Sequence, residues 1–456
     1  MTEYAAKLLR EEPRFYGNKA FEKRVPFSSK VMYDEETEFV RAALEDGETG
    51  TTGKNIDIIE EGLAAFAGVK YAVALNSRTA AIHMAVKLAA ERLYGASSGI
   101  TTPDGSGKGG ALSGKRVFCP DFAPASVVNP VIFEGGEPVF VDMSRSDFGM
   151  DPEVLRLAFA RYPDVKLVIM YHAYGFLGQI AAVRNICNEH EALLIEDASE
   201  CPGASVNGKR AGSFGDYGMI GFGEESIIPV GVGSMLLVDD DYSARKVRYW
   251  SAGVHADAKW NQHEELGYEY GLNNVAAGMI RGQIVHLEEH RDRKKEIYEH
   301  YRNSLNEEMF AMNPAGEDAA ADYSVSCVVL ESGIQFQEMR SERKYQYLSQ
   351  HGTAAPMEIW DVLDAFNAEC RLPWKPLSAQ PIFGQYDQFT LDGGKHTYEL
   401  FYRDTFFQRC NESSYVFAHG LCLPSGLGMT IEEQDRVIDI IRDCFRAPDF
   451  ERKQQE

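Results

Sequence analysis

Short apolar runs alternate with longer amphipathic stretches through the first half of the chain. Each run holds four to six mostly apolar residues, and the stretches between them show the spacing of apolar positions that is typical of helices. This alternation predicts an α/β fold with a parallel sheet flanked by helices. The predicted strands are residues 71–75, 116–119, 138–142, 166–171 and 192–197, and the predicted helices are residues 80–94, 126–133 and 181–190.

The second half of the chain predicts a smaller α+β domain. Residues 275–305 have the charge-rich amphipathic pattern of one long helix, which we interpret as an arm between two domains that meet near residue 290. A strand at 324–330 and a closing helix at 431–445 follow. The predicted organisation is an N-terminal extension at 1–25, a large domain at 26–290 with a mobile Gly/Ser/Thr-rich insertion at 96–114, and a small C-terminal domain at 291–456.

Composition excludes several classes of function. The chain has 456 residues, 44% of them apolar, which is ample for a globular core, and its net charge of −23 disfavours nucleic acid as a partner. No apolar run reaches the roughly 18 residues that cross a bilayer, and the N-terminus lacks a signal-peptide pattern, so we expect a cytoplasmic protein with no membrane contact. The eight cysteines form no Cys-x-x-Cys pair, which predicts reduced thiols and no structural zinc.

One pattern typical of zinc peptidases occurs in the predicted arm. Residues 286–290 read His-Leu-Glu-Glu-His, which would place two imidazoles on one helix face. The surrounding charges, including the run at 291–296, indicate a solvated helix with i,i+4 pairing, and no obvious third ligand follows. No metal site is therefore predicted.

Three motifs in the large domain carry a family resemblance. Residues 76–83 read Asn-Ser-Arg-Thr-Ala-Ala-Ile-His, residues 195–200 read Ile-Glu-Asp-Ala-Ser-Glu, and residues 221–226 read Gly-Phe-Gly-Glu-Glu-Ser. In this order they resemble the DegT-type sugar aminotransferases. Further segments at 280–283, 374–377 and 420–426 are similar to a narrower branch that makes 4-amino sugars of the bacillosamine type on a UDP-sugar. The resemblance covers roughly residues 25–445.

The resemblance implies a fold, a reaction and a cofactor. It implies the fold type I pyridoxal-phosphate (PLP) transferase architecture, with a mostly parallel seven-stranded sheet, a smaller C-terminal α+β domain and a homodimer whose sites lie at the interface. The family's reaction moves an amino group from glutamate onto a 4-keto nucleotide sugar. The cofactor needs an amine, a carboxylate for its ring nitrogen, phosphate donors and a stacking surface. The residues that the resemblance assigns to the cofactor site are Arg78, Thr79, Ala80, Asp197, Glu200, Gly221 and Ser226.

These residues have different implied roles. Asp197 would hold the ring nitrogen, and Arg78, Thr79 and Ala80 would meet the phosphate at the start of a helix. The alternative is that Ser77 or Thr79 merely caps that helix. Arg78 stands where the family has a glycine, so its side chain either adds a charged contact or plugs the space.

The chain departs from the family at the residues that carry the chemistry. Ser226 stands where the family has the lysine that holds the cofactor, and a hydroxyl can neither form an imine nor serve as the base. No catalytic residue is therefore predicted, and neither Lys209 nor Lys246 is a credible replacement. The other departures are Gly221 for a serine, Pro124 for an aromatic residue, Glu269 for an asparagine, Gly271 for an arginine and Ser378 for a histidine.

Two functions from different classes follow. The first is a pseudoenzyme: a non-catalytic partner subunit, or a sugar-nucleotide-binding homologue. The alternative is an aminotransferase, or an altered enzyme that uses PLP or pyridoxamine phosphate (PMP), acting on a UDP-4-keto-6-deoxy sugar in cell-surface glycan biosynthesis. The expected cofactor is PLP or PMP held non-covalently, or no cofactor. The expected partners are a second copy of the chain or a lysine-bearing paralogue, together with a UDP-sugar ligand.

Overall fold

A large mixed sheet organises the first part of the chain in the computed structural model, which describes most but not all residues. Residues 96–109, most of the predicted insertion, lie outside the described residues. The described residues are 3–95, 110–254, 258–305, 310–312, 319–330, 339–341, 344–346, 354–392, 395–396 and 411–446.

The strands agree closely with the apolar runs of the sequence. All five predicted strands of the large domain form, each within two residues of its predicted bounds. The strands are β1 Tyr71–Leu75, β2 Arg116–Pro120, β3 Glu137–Val141, β4 Leu167–Tyr171, β5 Leu193–Asp197, β6 Ser205–Val206, β7 Lys209–Arg210, β8 Tyr217–Gly221, β9 Ser234–Val238, β10 Phe310–Met312, β11 Ala319–Ala320, β12 Ser326–Leu330, β13 Met339–Ser341, β14 Lys344–Gln346, β15 Gln388–Phe389, β16 Lys395–His396 and β17 Gly420–Leu423.

The large sheet has the order β1-β9-β8-β5-β4-β2-β3-β15-β16. Strand β9 runs antiparallel to both of its neighbours, whereas β8, β5, β4, β2 and β3 are mutually parallel. The predicted mostly parallel seven-stranded sheet is therefore confirmed, and β15 and β16 extend it at the β3 edge. Strands β4 and β5 are buried at every position, as expected for strands covered by helices on both faces.

Helices follow the strands in the expected alternation. The stretch predicted as a helix at 126–133 is instead a 3-10 turn, Ala125–Val127, followed by a short helix. The helices are α1 Glu3–Arg10, α2 Asp34–Glu45, α3 Lys54–Ala67, α4 Arg78–Tyr94, α5 Asn129–Phe133, α6 Pro152–Arg161, α7 Ile180–Glu189, α8 Asp241–Ser251, α9 Asn274–Val285, α10 Leu287–Ser304, α11 Pro356–Ala365, α12 Glu412–His419 and α13 Ile431–Cys444, with further 3-10 turns at Pro13–Phe15, Ala173–Gly175 and Leu377–Ala379.

The prediction of one long helix at 275–305 is wrong. Helix α9 ends at Val285 and α10 begins at Leu287, because His286 leaves helical geometry with φ −99° and ψ 13°. The His286 ring stacks on Tyr33, with ring centres 3.5 Å apart, so this packing accompanies the break. Helix α9 packs on α2, whereas α10 reaches towards α13 and the second core.

A second hydrophobic core lies beside the large domain. It is built around the sheet β10-β12-β17 and helix α13. Leu9 and Phe15, from the segment predicted as an N-terminal extension, are buried in it. The domain boundaries of the sequence analysis stay predictions. None of the described helices is long and apolar enough to cross a membrane. The seven cysteines among the described residues are buried.

Candidate functional site

A cleft of about 420 Å³ opens where β1, β5 and β8 end and α4 begins. The ends of parallel strands are the usual ligand site in such sheets, and cavities of about 300 to 1,000 Å³ are typical of small-molecule sites. Four of the predicted site residues line the cleft, and Asn76, Ser126 and Trp374 are among their neighbours. The four are Arg78, Glu200, Gly221 and Ser226.

Arg78 is held between two carboxylates. Its Nε lies 4.0 Å from Oδ2 of Asp197 and its Nη2 lies 3.6 Å from Oε1 of Glu200, while its side chain stays 22% exposed. Burial alone would lower the pKa of Arg78, but the nearby Asp197, Tyr171 and Glu200 outweigh it, and the pKa is raised. The guanidinium is therefore a permanent cation inside the site.

Glu200 is fixed by contacts on both of its oxygens. Oε2 accepts a hydrogen bond from the backbone N–H of Tyr174 at 2.9 Å, and Oε1 faces Arg78. Burial raises the pKa of Glu200, and the attraction of Arg78 opposes this rise without cancelling it. Burial also raises the pKa of the Tyr171 phenol well above its ordinary value.

Asp197 is fully buried at the end of β5, and its two oxygens differ. Oδ1 accepts hydrogen bonds from the backbone N–H of Ser199, at 2.9 Å, and from the Ser199 hydroxyl. Oδ2 has no hydrogen-bond partner among the described residues, and Arg78 is the cation that faces it. The carboxylate that the resemblance assigns to a ring nitrogen thus lies beside a guanidinium.

Ser226 is buried, and its hydroxyl is hydrogen-bonded to backbone groups. Its Oγ lies 2.8 Å from the carbonyl of Gly221 and 3.2 Å from the carbonyl of Ser199, so two acceptors share its one proton. The same oxygen accepts the backbone N–H of Ile228 at 3.3 Å. The hydroxyl therefore has a structural role, in which it ties the end of β8 to the segment after β5.

Gly221 and Ser199 form a packed pair that the sequence analysis missed. A Cβ placed on Gly221 would lie 2.7 Å from Cβ of Ser199 and 2.9 Å from its Oγ. A serine at position 221 would therefore displace Ser199. Residues 195–199 resemble the family's run Ile-Glu-Asp-Ala-Ala, and Ser199 stands in place of the second alanine. This serine was the signal from which the pair could have been predicted.

Ser77 caps the N-terminus of α4, which is the alternative that the sequence analysis left open. The Ser77 side chain accepts the backbone N–H of Ala80 at 3.2 Å, so that donor is already used inside the protein. Thr79 is half-buried in the first turn, and Ala80 is buried. Of the three residues predicted here, only Arg78 lines the cleft.

The other departures from the family fit their surroundings in this chain. Ser378 donates to buried Asp121 through its backbone N–H at 2.8 Å and its hydroxyl at 3.1 Å. A Cβ on Gly271 would lie 2.8 Å from Cγ2 of Thr51, which leaves little room for an arginine. The carbonyl of Glu269 accepts from Nδ2 of Asn76 at 2.9 Å, and Pro124 precedes the 3-10 turn Ala125–Val127.

No lysine or histidine occurs among the described residues that line the cleft. Lys246 pairs with Glu265 at 2.6 Å, and Nζ of Lys209 lies 4.8 Å from the centre of the Phe214 ring. At 286–290, Nδ1 of His290 bonds the carbonyl of Ile227 at 3.0 Å, and no metal-ligand cluster is present among the described residues.

These contacts test whether the site fits PLP in the way the family's chemistry requires. At the position assigned to the amine, the Ser226 hydroxyl is bonded to backbone carbonyls. Asp197, the carboxylate assigned to the ring nitrogen, faces Arg78. Ser199 fills the space that a phosphate-binding serine at position 221 would need. The residues present therefore do not fit the cofactor in its family arrangement.

Comparison with known proteins places the chain in a family. The sequence pattern of the DegT/DnrJ/EryC1/StrS aminotransferase family matches residues 31–352. The chain therefore belongs to this family of sugar aminotransferases, in which PLP or PMP is the expected cofactor.

Individual relatives are similar over most of the chain. EpsN of Bacillus subtilis, assigned as a pyridoxal phosphate-dependent aminotransferase, is 28% identical over 432 residues, which cover 93% of this chain and 97% of EpsN. GDP-perosamine synthase of Vibrio cholerae is 28% identical over 282 residues, or 62% of this chain and 71% of the synthase.

Solved structures share the fold. Helicobacter pylori PseC, an aminotransferase involved in the biosynthesis of pseudoaminic acid, matches with a TM-score of 0.72 at 15% identity, over 93% of this chain and 99% of PseC. DesV of S. venezuelae, in complex with a ketimine intermediate, matches with a TM-score of 0.71 at 21% identity, over 93% of this chain and all of DesV (100%).

Proposed function

We propose that this chain is a nucleotide-sugar-binding member of its family that does not carry out lysine-dependent transamination. One observation carries the proposal: the Ser226 hydroxyl is bound to the carbonyls of Gly221 and Ser199, in a cleft whose described lining contains no lysine. A group that is already bonded to the backbone, and that is not an amine, cannot capture an aldehyde.

The proposed ligand is a UDP-linked 6-deoxy sugar. Its support is the position of the cleft at the strand ends, together with relatives whose names describe sugar-nucleotide or glycan synthesis, such as GDP-perosamine synthase. We place this role in the cytoplasm and in a homodimer, or in a heteromer with a lysine-bearing paralogue that supplies the missing amine.

A second candidate is an enzyme that holds PMP without a covalent bond. Its support is Oδ2 of Asp197, a buried acceptor without a hydrogen-bond partner among the described residues. A protonated ring nitrogen would satisfy this oxygen if Arg78 moved aside. The two candidates differ in what binds and in whether an amino group is transferred.

One set of measurements separates the two candidates. The protein, purified without added cofactor, is titrated by calorimetry with UDP-N-acetylglucosamine, a UDP-4-keto-6-deoxy sugar, PLP and PMP in turn, and then assayed for amino transfer from glutamate. The proposal predicts binding of a UDP-sugar and no transfer. Saturable PMP binding with turnover of the keto sugar would support the second candidate, and failure of every UDP-sugar to bind would contradict the first.

Ser226→Lys, Gly221→Ser and the double variant sharpen the assay. We expect little transfer from Ser226→Lys alone, because Arg78 and Ser199 still occupy their places. A lysine-bearing family member assayed in parallel shows that substrates and cofactor are competent. Substantial transfer by Ser226→Lys alone would show that the rest of the site still fits the cofactor.

A further inference from the structure

We propose that Arg78 is a built-in replacement for the cofactor ring: its guanidinium supplies Asp197 with the positive charge that a protonated ring nitrogen supplies in a PLP enzyme. The inference deepens the proposed function, since it assigns the residue that makes this site complete without cofactor. It rests on geometry that no single sequence motif reveals.

The site contains two buried carboxylates. Asp197 is fully buried and the Glu200 side chain is 4% exposed, so two carboxylates three residues apart lie away from water. Buried carboxylates need a compensating cation or donors. Among the described residues, Arg78 is the cation within ion-pair distance of both.

The position of Arg78 shields Asp197 from the cleft. Arg78 lines the cleft and Asp197 does not, so the guanidinium lies between the cleft and this carboxylate. Its central carbon is also 5.8 Å from the centre of the Tyr171 ring, which gives the planar group an aromatic neighbour. A pyridine ring that approached Asp197 from the cleft would have to displace the guanidinium.

The residues around Asp197 are packed for this arrangement. Ser199 donates to Oδ1 of Asp197, which leaves only Oδ2 for Arg78. Gly221 gives Ser199 the space that it needs, since a Cβ there would lie 2.7 Å from Cβ of Ser199. Three of the departures from the family therefore form one connected set: the arginine at 78, the serine at 199 and the glycine at 221.

The test compares PMP binding by the wild type, Arg78→Gly and Arg78→Lys. Binding is measured by calorimetry and by the shift in melting temperature. Arg78→Gly should melt at a lower temperature without ligand, bind PMP at least about tenfold more tightly than the wild type, and regain melting temperature as PMP is added. Arg78→Lys keeps a cation and should behave more like the wild type. Wild-type PMP binding as tight as that of Arg78→Gly would overturn the proposal.

A matched control separates loss of a buried ion pair from opening of the site. Arg291 pairs with fully buried Asp322 at 2.7 Å, away from the residues that line the cleft. Arg291→Met should lower the melting temperature without any gain in PMP binding. A similar gain in this variant would mean that loosening of the fold, not Arg78, controls access.

A double-mutant cycle keeps the proposal testable if Arg78→Gly does not fold. Arg78→Met combined with Asp197→Asn removes both the cation and the carboxylate, and should melt above Arg78→Met alone. Additive losses in the cycle would overturn the pairing of Arg78 with Asp197. That outcome is distinct from failure of the proposed function, which would be wild-type amino transfer or absence of UDP-sugar binding.

Discussion

Two adjacent carboxylates on β5, Glu196 and Asp197, show opposite relations to the rest of the protein. Glu196 points to the loop that precedes β8, where its oxygens accept the backbone N–H groups of Gly212 at 2.7 Å, Phe214 at 2.7 Å and Gly215 at 3.0 Å. Asp197 lies behind Arg78, outside the lining of the cleft: its Oδ1 is bonded by Ser199, and its Oδ2 faces the Arg78 side chain.

The comparison shows that Glu196 supports the fold, whereas Asp197 belongs to the candidate site. Three contacts of Glu196 are made to backbone, and its Oε1 also lies 3.1 Å from Nε2 of buried His172. None of these partners lines the cleft. The contacts of Asp197 depend on Arg78 and Ser199, both of which depart from the family motifs. This chain therefore retains both carboxylates, but it surrounds Asp197 with side chains that differ from the family motifs.

Removal of the Glu196 carboxylate is the strongest way to break this comparison. Glu196→Ala should cost about 3 to 5 kcal/mol of unfolding free energy, because three backbone donors lose a charged acceptor in a buried site. Urea unfolding followed by circular dichroism measures it, with Glu196→Gln as the variant that keeps one oxygen. A cost below about 1 kcal/mol would show that the scaffold does not depend on this residue.

On the cleft side, Arg78→Met should cost less, about 2 kcal/mol, since the guanidinium is partly exposed and lies 3.6 to 4.0 Å from its partners. The pKa of Glu200, already raised by burial, should rise further without the cation. In the folded variant Glu200 then binds a proton more readily at low pH. The loss of unfolding free energy relative to the wild type should therefore be smaller at pH 5 than at pH 8. An equal loss at both pH values would contradict the ion-pair account.

A third carboxylate at the same edge of the sheet provides a pH test. Burial first, and then the neighbouring Asp121, raises the pKa of Asp142 to about 7. Between about pH 4 and pH 7 the folded state holds a proton there that the unfolded state has lost, so the unfolding free energy falls as pH rises through this window and levels off above it. Asp142→Asn should flatten the profile in this window, and an unchanged slope would assign it to other groups.

The smallest expected effect is at Ser226. Ser226→Ala should cost about 1 kcal/mol, because one shared hydroxyl proton leaves two carbonyls. The matched control is Ser234→Ala, which removes the equally buried hydroxyl that donates to the carbonyl of Ile220 at 2.7 Å on the neighbouring strand. Similar costs would support a structural role, whereas a stabilised Ser226→Ala would indicate a residue kept for another purpose.

The sequence predicted five strands of the large sheet, because fully buried strands such as β4 and β5 leave continuous apolar runs. Strands β8 and β9 were not predicted individually. The sequence did not predict β15 and β16, since strands of two residues carry no periodicity. The break at His286 was missed because the apolar pattern continues through it, and the contact that accompanies the break is made with Tyr33, a residue distant in sequence.

The site was predicted residue by residue but not as an arrangement. Asp197, Arg78 and Ser226 were identified from motif positions. The contact between Ser199 and Gly221 was not predicted, because Ser199 lies in the turn after β5 and Gly221 ends β8. Their competition for one space exists only in three dimensions. The sequence also left open whether the Arg78 side chain adds a charged contact to the ligand or fills the ligand's space. The distances from Arg78 to Asp197 and Glu200 were needed to decide this.

Covalent capture of PLP tests the central claim most directly. The protein is incubated with micromolar PLP, reduced with borohydride, and examined by intact mass and peptide mapping beside a lysine-bearing family member treated in the same way. The account predicts no lysine modified to completion, with only trace labelling spread over surface lysines. Stoichiometric modification of one lysine in the wild type would contradict it, because an amine from elsewhere would then reach the site that Ser226 leaves without one.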